Sequence, residues 1–421
     1  MRIAHLSTND FGGAAIAAIN LHRALLQDGV ESDLLTLGRT REDVPRHHQV
    51  DPYALHPPAW LSRARYKTRR ALERTGLADD RSPDAWNRHL RDRPPGRETF
   101  SLPWTFFDVL RHPLMHRADV IHLHWVSRGM IDNVRFFERC GKPVVWTLHD
   151  MNPFTGGCHH ADECEGFRAS CKACPQLAEA DLPHAWWQAK RDAIAGFPKE
   201  RLALVAPSQW LASRCQASTV MAGRRCEVVP NGFDTALFSP EIRTEARRSL
   251  GWPADKRIVL FSAFETGNPR KGMDVLLPAL EELGGEAMLV CMGAPPPAGQ
   301  ARPGIVSTGL LHDPAAIARH YAAADIFVLP SMAENLPNTI CEAHLCGTPA
   351  VAFAVGGIPE QIDGSNGLLV PMRSSEALKE SLRAALNRDW DHRAIAAKAQ
   401  ARYGAQGVAE RYQAIYRRFA S

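Results

Sequence analysis

Two successive series of short apolar runs, each run followed by a helical pattern, constrain this chain more than any single motif in it. In the first series, residues 2–7, 31–36, 120–124, 144–149 and 202–206 read as strands, and 14–27 as a helix. β-Branched and bulky apolar side chains crowd these runs, as in strands covered on both faces. Gly29 stands just past the first helix, where a left-handed cap is expected. A second series starts near residue 257, with strand patterns at 257–261, 287–292, 304–307, 325–329 and 349–353. Strand–helix alternation implies parallel sheets, because parallel neighbours need a crossover between them. The expected architecture is therefore α/β, with two doubly wound domains of Rossmann type facing each other across a cleft. Pro230-Asn231-Gly232 is a turn signal between apolar runs and marks the joint. This gives a first domain over 1–230 and a second over 231–405. The last helix, 406–421, has no strand after it and is expected to pack back on the first domain.

Composition narrows the class without naming a function. Apolar residues make up 45% and charged residues 23% of 421, enough apolar surface to offset the cost of ordering the chain. No run approaches the ~18 consecutive apolar residues of a bilayer-spanning helix. Met1-Arg2-Ile3-Ala4-His5-Leu6 leads straight into a strand, with no apolar signal segment, so a cytoplasmic location is expected. The net charge of +4 is too small to argue for nucleic acid. Its excess sits in residues 60–97, with 11 basic and 5 acidic side chains, within a Pro-, Arg- and Trp-containing stretch (about 40–100) that reads as an insertion. Over 60–72, Leu61, Ala64, Thr68 and Leu72 share a helical face and the cations lie opposite. Such a helix suits either a peripheral contact with an anionic membrane surface or a solvated face of the first domain.

Three local patterns carry chemistry. Asn9-Asp10-Phe11-Gly12-Gly13-Ala14-Ala15 follows the first strand and opens the first helix, where free amides meet an anion; a plain strand-to-helix turn is the alternative. It lacks the GxGxxG of a dinucleotide site. In Leu329-Pro330-Ser331-Met332-Ala333-Glu334-Asn335-Leu336-Pro337-Asn338-Thr339-Ile340-Cys341-Glu342, a strand ends and a polar loop carries Glu334. Pro337 fits the first turn of the next helix, and Glu342 falls within it. A carboxylate there can accept two hydrogen bonds from vicinal ribose hydroxyls. Cys158, Cys164, Cys171 and Cys174 fall within 17 residues, a grouping that suits a structural zinc site or an iron–sulfur centre, with His159 or His160 able to replace one thiol. His122 and His124 alternate on one strand face and read as core or cleft lining, while Asn231 and Asp234 read as shaping the joint.

The Glu334-x7-Glu342 spacing, with Pro330-Ser331 before it and Cys346-Gly347-Thr348-Pro349 after it, resembles retaining glycosyltransferases of family 4. Further segments follow in that family's order: Gly12-Gly13, Thr147-Leu148-His149-Asp150, Pro207-Ser208, Val229-Pro230-Asn231-Gly232-Phe233-Asp234, Arg270-Lys271-Gly272 and Gly356-Gly357-Ile358-Pro359-Glu360. The stretch 147–158 is most similar to the colanic-acid, exopolysaccharide branch. The resemblance implies a GT-B fold and a hexosyltransferase that moves a sugar from a nucleotide diphosphate to a glycan, one carried on a polyprenyl diphosphate in similar pathways. It implies catalytic roles for His149, Lys271 and Glu334, with Glu334 on the sugar hydroxyls and Lys271 on the leaving diphosphate. Donor binding would fall to Gly13, Arg270, Lys271, Asn335, Leu336 and Glu342, without a catalytic metal. Where the family carries an Arg some residues before the Lys, this sequence has Glu265 and Thr266. A nucleotide-sugar epimerase, a phosphorylase on the same fold, and a non-catalytic nucleotide or nucleic-acid binding protein are the competing readings. The base, sugar and acceptor are not legible.

Overall fold

The computed structural model describes residues 1–52, 54–55, 90, 93, 99–105, 107–177, 181–283, 287–294 and 305–419. It divides into two compact units. The first takes Met1–Pro207, Leu211–Val229 and Arg411–Ser421; the second takes Ser208–Trp210 and Pro230–Glu410. The expected helix at 60–72, and the rest of the basic stretch apart from residues 90 and 93, lie outside the described residues.

The first unit is built on seven parallel strands: β1 (Arg2–Leu6), β2 (Glu31–Thr36), β3 (His47–Gln49), β4 (Val120–Leu123), β5 (Val144–Thr147), β6 (Leu202–Ala206) and β7 (Cys226–Val228), in the order β3-β2-β1-β4-β5-β6-β7. Every residue of β4 and β5 is buried, which explains why their sequences are apolar apart from His122 and Thr147. The helix Gly13–Gln27 follows β1 and buries Ala15, Ala18, Ile19, Leu21 and Leu25. Gly29, two residues past its end, takes φ 74°, the left-handed turn expected there. Within the stretch expected as an insertion from about residue 40, His47–Gln49 pairs with β2 as an edge strand.

Six parallel strands form the second sheet: β8 (Arg257–Glu265), β9 (Ala287–Ala294), β10 (Ile305–Gly309), β11 (Ile326–Leu329), β12 (Ala350–Phe353) and β13 (Gly367–Val370), in the order β10-β9-β8-β11-β12-β13. The pleat sorts its apolar residues onto two faces. Ile258, Leu260, Phe327, Leu329, Ala350 and Ala352 enter one core. Their neighbours Val259, Phe261, Ile326, Val328, Val351 and Phe353 enter the other. In each sheet the strand order reverses direction once, between β1 and β4 and between β8 and β11. At such a point the loops leaving adjacent strand ends part to opposite faces and open a crevice, where ligands of doubly wound sheets bind.

The last helix runs Ala405–Arg417, and its residues from Arg411 onward belong to the first unit. There the Tyr416 hydroxyl lies 2.6 Å from His122 Nδ1, and the Tyr412 hydroxyl lies 2.8 Å from Thr147 Oγ1. Among the described residues no helix is long and apolar enough to cross a membrane.

Candidate active site

In the second unit, the loops leaving β8 and β11 bring Arg270, Lys271 and Glu334 together. Asn268 turns the β8 loop into a short 3-10 helix, Pro269–Lys271, by accepting from the Arg270 amide at 2.9 Å. Gly272 ends it at φ 73°, and a Cβ there would stand 2.0 Å from the Pro330 carbonyl oxygen, so the two loops touch only because this residue is glycine. The Met332 amide then donates to the Arg270 carbonyl at 2.7 Å. With the backbones joined, Lys271 Nζ donates to Glu334 Oε1 at 2.6 Å, and Arg270 Nη1 reaches the same oxygen at 3.2 Å and the Ala333 carbonyl at 2.7 Å. Arg270 thus supplies a second cation beside Lys271, although Glu265 and Thr266 occupy the positions expected for one.

The loop is held from below as well. Gly356, at φ 57°, packs against the Glu334 carbonyl, 1.7 Å from where a Cβ would sit. The Gly357 amide donates to the Asn335 carbonyl at 2.8 Å, and Ser208 Oγ donates to Asn335 Oδ1 at 2.6 Å. Asn335 and Leu336 are buried. Pro337 is the N-cap of the helix Asn338–Leu345 rather than its first-turn residue, since its ψ of 124° is extended. No side chain caps that helix start, and no acidic residue sits in its first turn, so its leading end remains favourable to an anion. Glu342 lies on this helix. Burial of its carboxyl raises the pKa from 4.5 to about 7, with the nearby Tyr321 hydroxyl opposing the shift. Asp234 shapes the start of the unit by accepting from the amides of Ala236 and Leu237. Asn231 Nδ2 donates to Asn338 Oδ1 at 2.8 Å.

Gly13 and His149 lie in the first unit. Gly13 is exposed at the first turn of its helix, after Gly12 at φ 83°. His149 follows β5 and is the outer member of a buried histidine chain that sequence reading did not assemble. His149 Nε2 meets His124 Nδ1 at 3.3 Å, and His124 Nε2 meets His5 Nδ1 at 3.0 Å. The parallel register sets His5 opposite His122, whose ring nitrogens face Tyr416 and Thr147. Burial lowers the pKa of His149 to about 4, with Asp150 opposing, so its ring is neutral near pH 7. Next to it, Asp150 organises the following loop. It accepts from Trp125 Nε1 at 2.7 Å and the Asn152 amide at 2.9 Å, and it pairs with His159 Nδ1 at 2.6 Å. Burial alone would raise the Asp150 pKa, but the His159 ring and the Asn152 amide outweigh it and hold the carboxyl below its ordinary value. His159 Nε2 meets Ser101 Oγ at 2.7 Å, so both nitrogens of this ring are engaged and it does not stand in for a cysteine.

The family model described as Glycosyltransferase Family 4 matches residues 11–237, and the one described as Glycosyl transferases group 1 matches 255–388. A D-inositol 3-phosphate glycosyltransferase of Xylanimonas cellulosilytica is 34% identical, across 94% of this chain and 88% of its own. WcaC of Escherichia coli, a glycosyl transferase named for colanic acid biosynthesis, is 25% identical across 85% of this chain and 84% of its own. Among solved structures, Anabaena HepE in complex with UDP-glucose is similar with a TM-score of 0.62 at 18% identity, over 98% of both chains.

Proposed function

The chain belongs to glycosyltransferase family 4 and has the GT-B fold, and from that premise we propose that it moves a sugar from a nucleotide diphosphate donor to a glycan on a lipid carrier in cell-surface polysaccharide synthesis. The observation that carries the donor reading is the convergence of Lys271 and Arg270 on the single carboxylate of Glu334 at the strand-order reversal of the second sheet. A diphosphate entering there competes with Glu334 for both cations. They neutralise charge as it develops on the departing phosphate, which is the largest electrostatic demand of the reaction. The released carboxylate of Glu334 then accepts from the hydroxyls of the bound sugar. Glu342, ionised, accepts from the ribose diol. Retention is expected by front-face attack, so no protein nucleophile is assigned. His149, neutral, offers hydrogen bonding to the donor sugar without adding charge, and Gly13 offers its amide to the diphosphate or the acceptor.

The acceptor reading leans on the exopolysaccharide relative and on the basic stretch at 60–97, whose chemistry suits an anionic membrane surface. A second reading has its own support. Relatives named D-inositol 3-phosphate glycosyltransferase extend over nearly the whole chain, and they favour a small phosphorylated cyclitol as acceptor.

Thermal-shift binding of UDP, GDP, ADP and CMP to the wild type and to Glu342→Ala tests the donor site. The expected result is stabilisation of the wild type alone by one nucleoside diphosphate. No shift, or equal shifts in both proteins, overturns the ribose assignment. Mass spectrometry of product from that base's sugar donor, offered with a polyprenyl-diphosphate glycan or with inositol phosphate, then decides the acceptor.

A further inference from the structure

The four clustered cysteines lie in the first unit. They belong to a connection running from residue 148, past the end of β5, to the helix Asp181–Gly196. Connections of this length without their own secondary structure are uncommon in compact domains. Within its described residues this one forms only the short 3-10 turns Asn152–Phe154 and Gly166–Arg168 and an isolated bridge between Phe100 and Cys158. Something other than a ladder of backbone hydrogen bonds must fix it.

Cys158, Cys164, Cys171 and Cys174 all line one cavity of about 20 Å³, walled by Phe100 and Phe167. All four are free thiols. Backbone amides are aimed at the sulfurs. The Gly156 amide donates to Cys171 Sγ at 3.2 Å and the Gly166 amide to Cys164 Sγ at 3.4 Å, while the amides of Gln176 and Leu177 face Cys174. Charge-assisted bonds of this kind favour a thiolate over a thiol. In the Cys171-x2-Cys174 turn, Cys171 (φ 47°) and Ala173 (φ 51°) both adopt the left-handed region, a cost that persists only where surrounding structure holds it.

A buried charge points the same way. Lys190 is only 2% exposed, and its ammonium donates to the carbonyl oxygens of Asn152 at 2.7 Å and Thr155 at 3.0 Å. Among the described residues no carboxylate is within hydrogen-bond contact of it, and the acidic groups that act on it are the thiols of Cys171 and Cys158 and the carboxyl of Asp150. A divalent cation bound by four thiolates leaves a net charge of −2, which the ammonium of Lys190 partly offsets.

We propose that Cys158, Cys164, Cys171 and Cys174 bind one zinc ion that pins the 148–180 connection, with Lys190 as its buried counter-charge. Tetrahedral thiolate ligation suits a d¹⁰ ion with no geometric preference of its own. Among the described residues the sulfurs are not gathered within 4.8 Å of one another, so ligation requires them to close on the ion. The tighter grouping of His5, His122 and His124 is a weaker metal site, because the His122 nitrogens face Tyr416 and Thr147 and His5 Nδ1 faces His124.

The test is metal analysis of the full chain purified in reducing, chelator-free buffer. The expected result is about one zinc per chain, released when an organomercurial titrates the thiols. Cobalt exchange should give thiolate-to-metal charge-transfer bands. Lys190→Gln should lower zinc retention while leaving the four thiols in place. A wild type without stoichiometric zinc and without cobalt binding overturns the proposal. So does iron with acid-labile sulfide, or a mass deficit showing disulfides among the four. Because the decisive readout is on the wild-type protein, a cysteine variant that fails to fold does not obscure it. Donor binding is read separately, so either proposal can fail alone.

Discussion

Glu342 and Glu334 sit eight positions apart and solve opposite electrostatic problems. Glu334 is held by two cations, whereas Glu342 is desolvated with no cation on it among the described residues. The unfolded chain gives up the Glu342 proton near pH 4.5 and the folded chain near 7. Between those values the folded state alone binds the proton, so this residue's contribution to stability falls as pH rises from 4.5 to 7 and stays low above it. Glu342→Gln keeps the shape and removes the ionisation. It is expected to stabilise the protein at pH 8 by on the order of 1–3 kcal/mol while abolishing nucleotide binding. Urea denaturation at pH 5 and pH 8 checks this. A variant less stable than the wild type at pH 8 would show that the carboxylate is held by a partner instead.

At the scale of loops and strands, the glycines divide by what they meet. Gly356 takes φ 57° with the Glu334 carbonyl in the space a Cβ would need, so Gly356→Ala must push the Glu334 loop away. Gly12 takes φ 83° with nothing within 4 Å of its missing Cβ. Gly12→Ala should therefore cost only the left-handed backbone penalty, about 1–2 kcal/mol. Gly356→Ala should cost more, and it should also reduce transfer activity out of proportion to stability. Equal losses of activity in the two variants would contradict this.

Legibility in the sequence follows the same scale. Strands β2 and β6 span the residues read as strands from the sequence, and most others match within one or two residues. β3, β7 and β13 were not legible. They are edge strands of three or four residues, and each carries a polar or glycine residue that interrupts or replaces an apolar run. Arg270, Lys271 and Glu334 could be read because each belongs to a local motif at a strand end. The chain from His149 to His5 could not. Its members come from β1, the end of β4 and the loop after β5, and only the parallel register brings His5 next to His122.

At the scale of the whole chain, residues 230–410 form nearly all of the second unit, and Arg411 returns the chain to the first. That return leans on Tyr412 and Tyr416, both buried. Tyr416→Phe keeps the ring but leaves His122 Nδ1 without its hydroxyl partner. It should cost about 1–3 kcal/mol, read by chemical denaturation of the full chain. No measurable loss would mean that the buried imidazole finds another partner.

The same connectivity imposes an order on synthesis. The ribosome makes every strand of the first sheet, β1 to β7, before the second unit, yet the segment that covers His122 and Thr147 is made last. At 5–20 residues per second, the 181 residues from 230 to 410 take roughly 10–40 s to emerge. For that interval the first sheet is complete in strands and incomplete in cover, with a buried-type polar cluster open to water. A chaperone acting on this protein during translation would meet its first-made domain as the unfinished one.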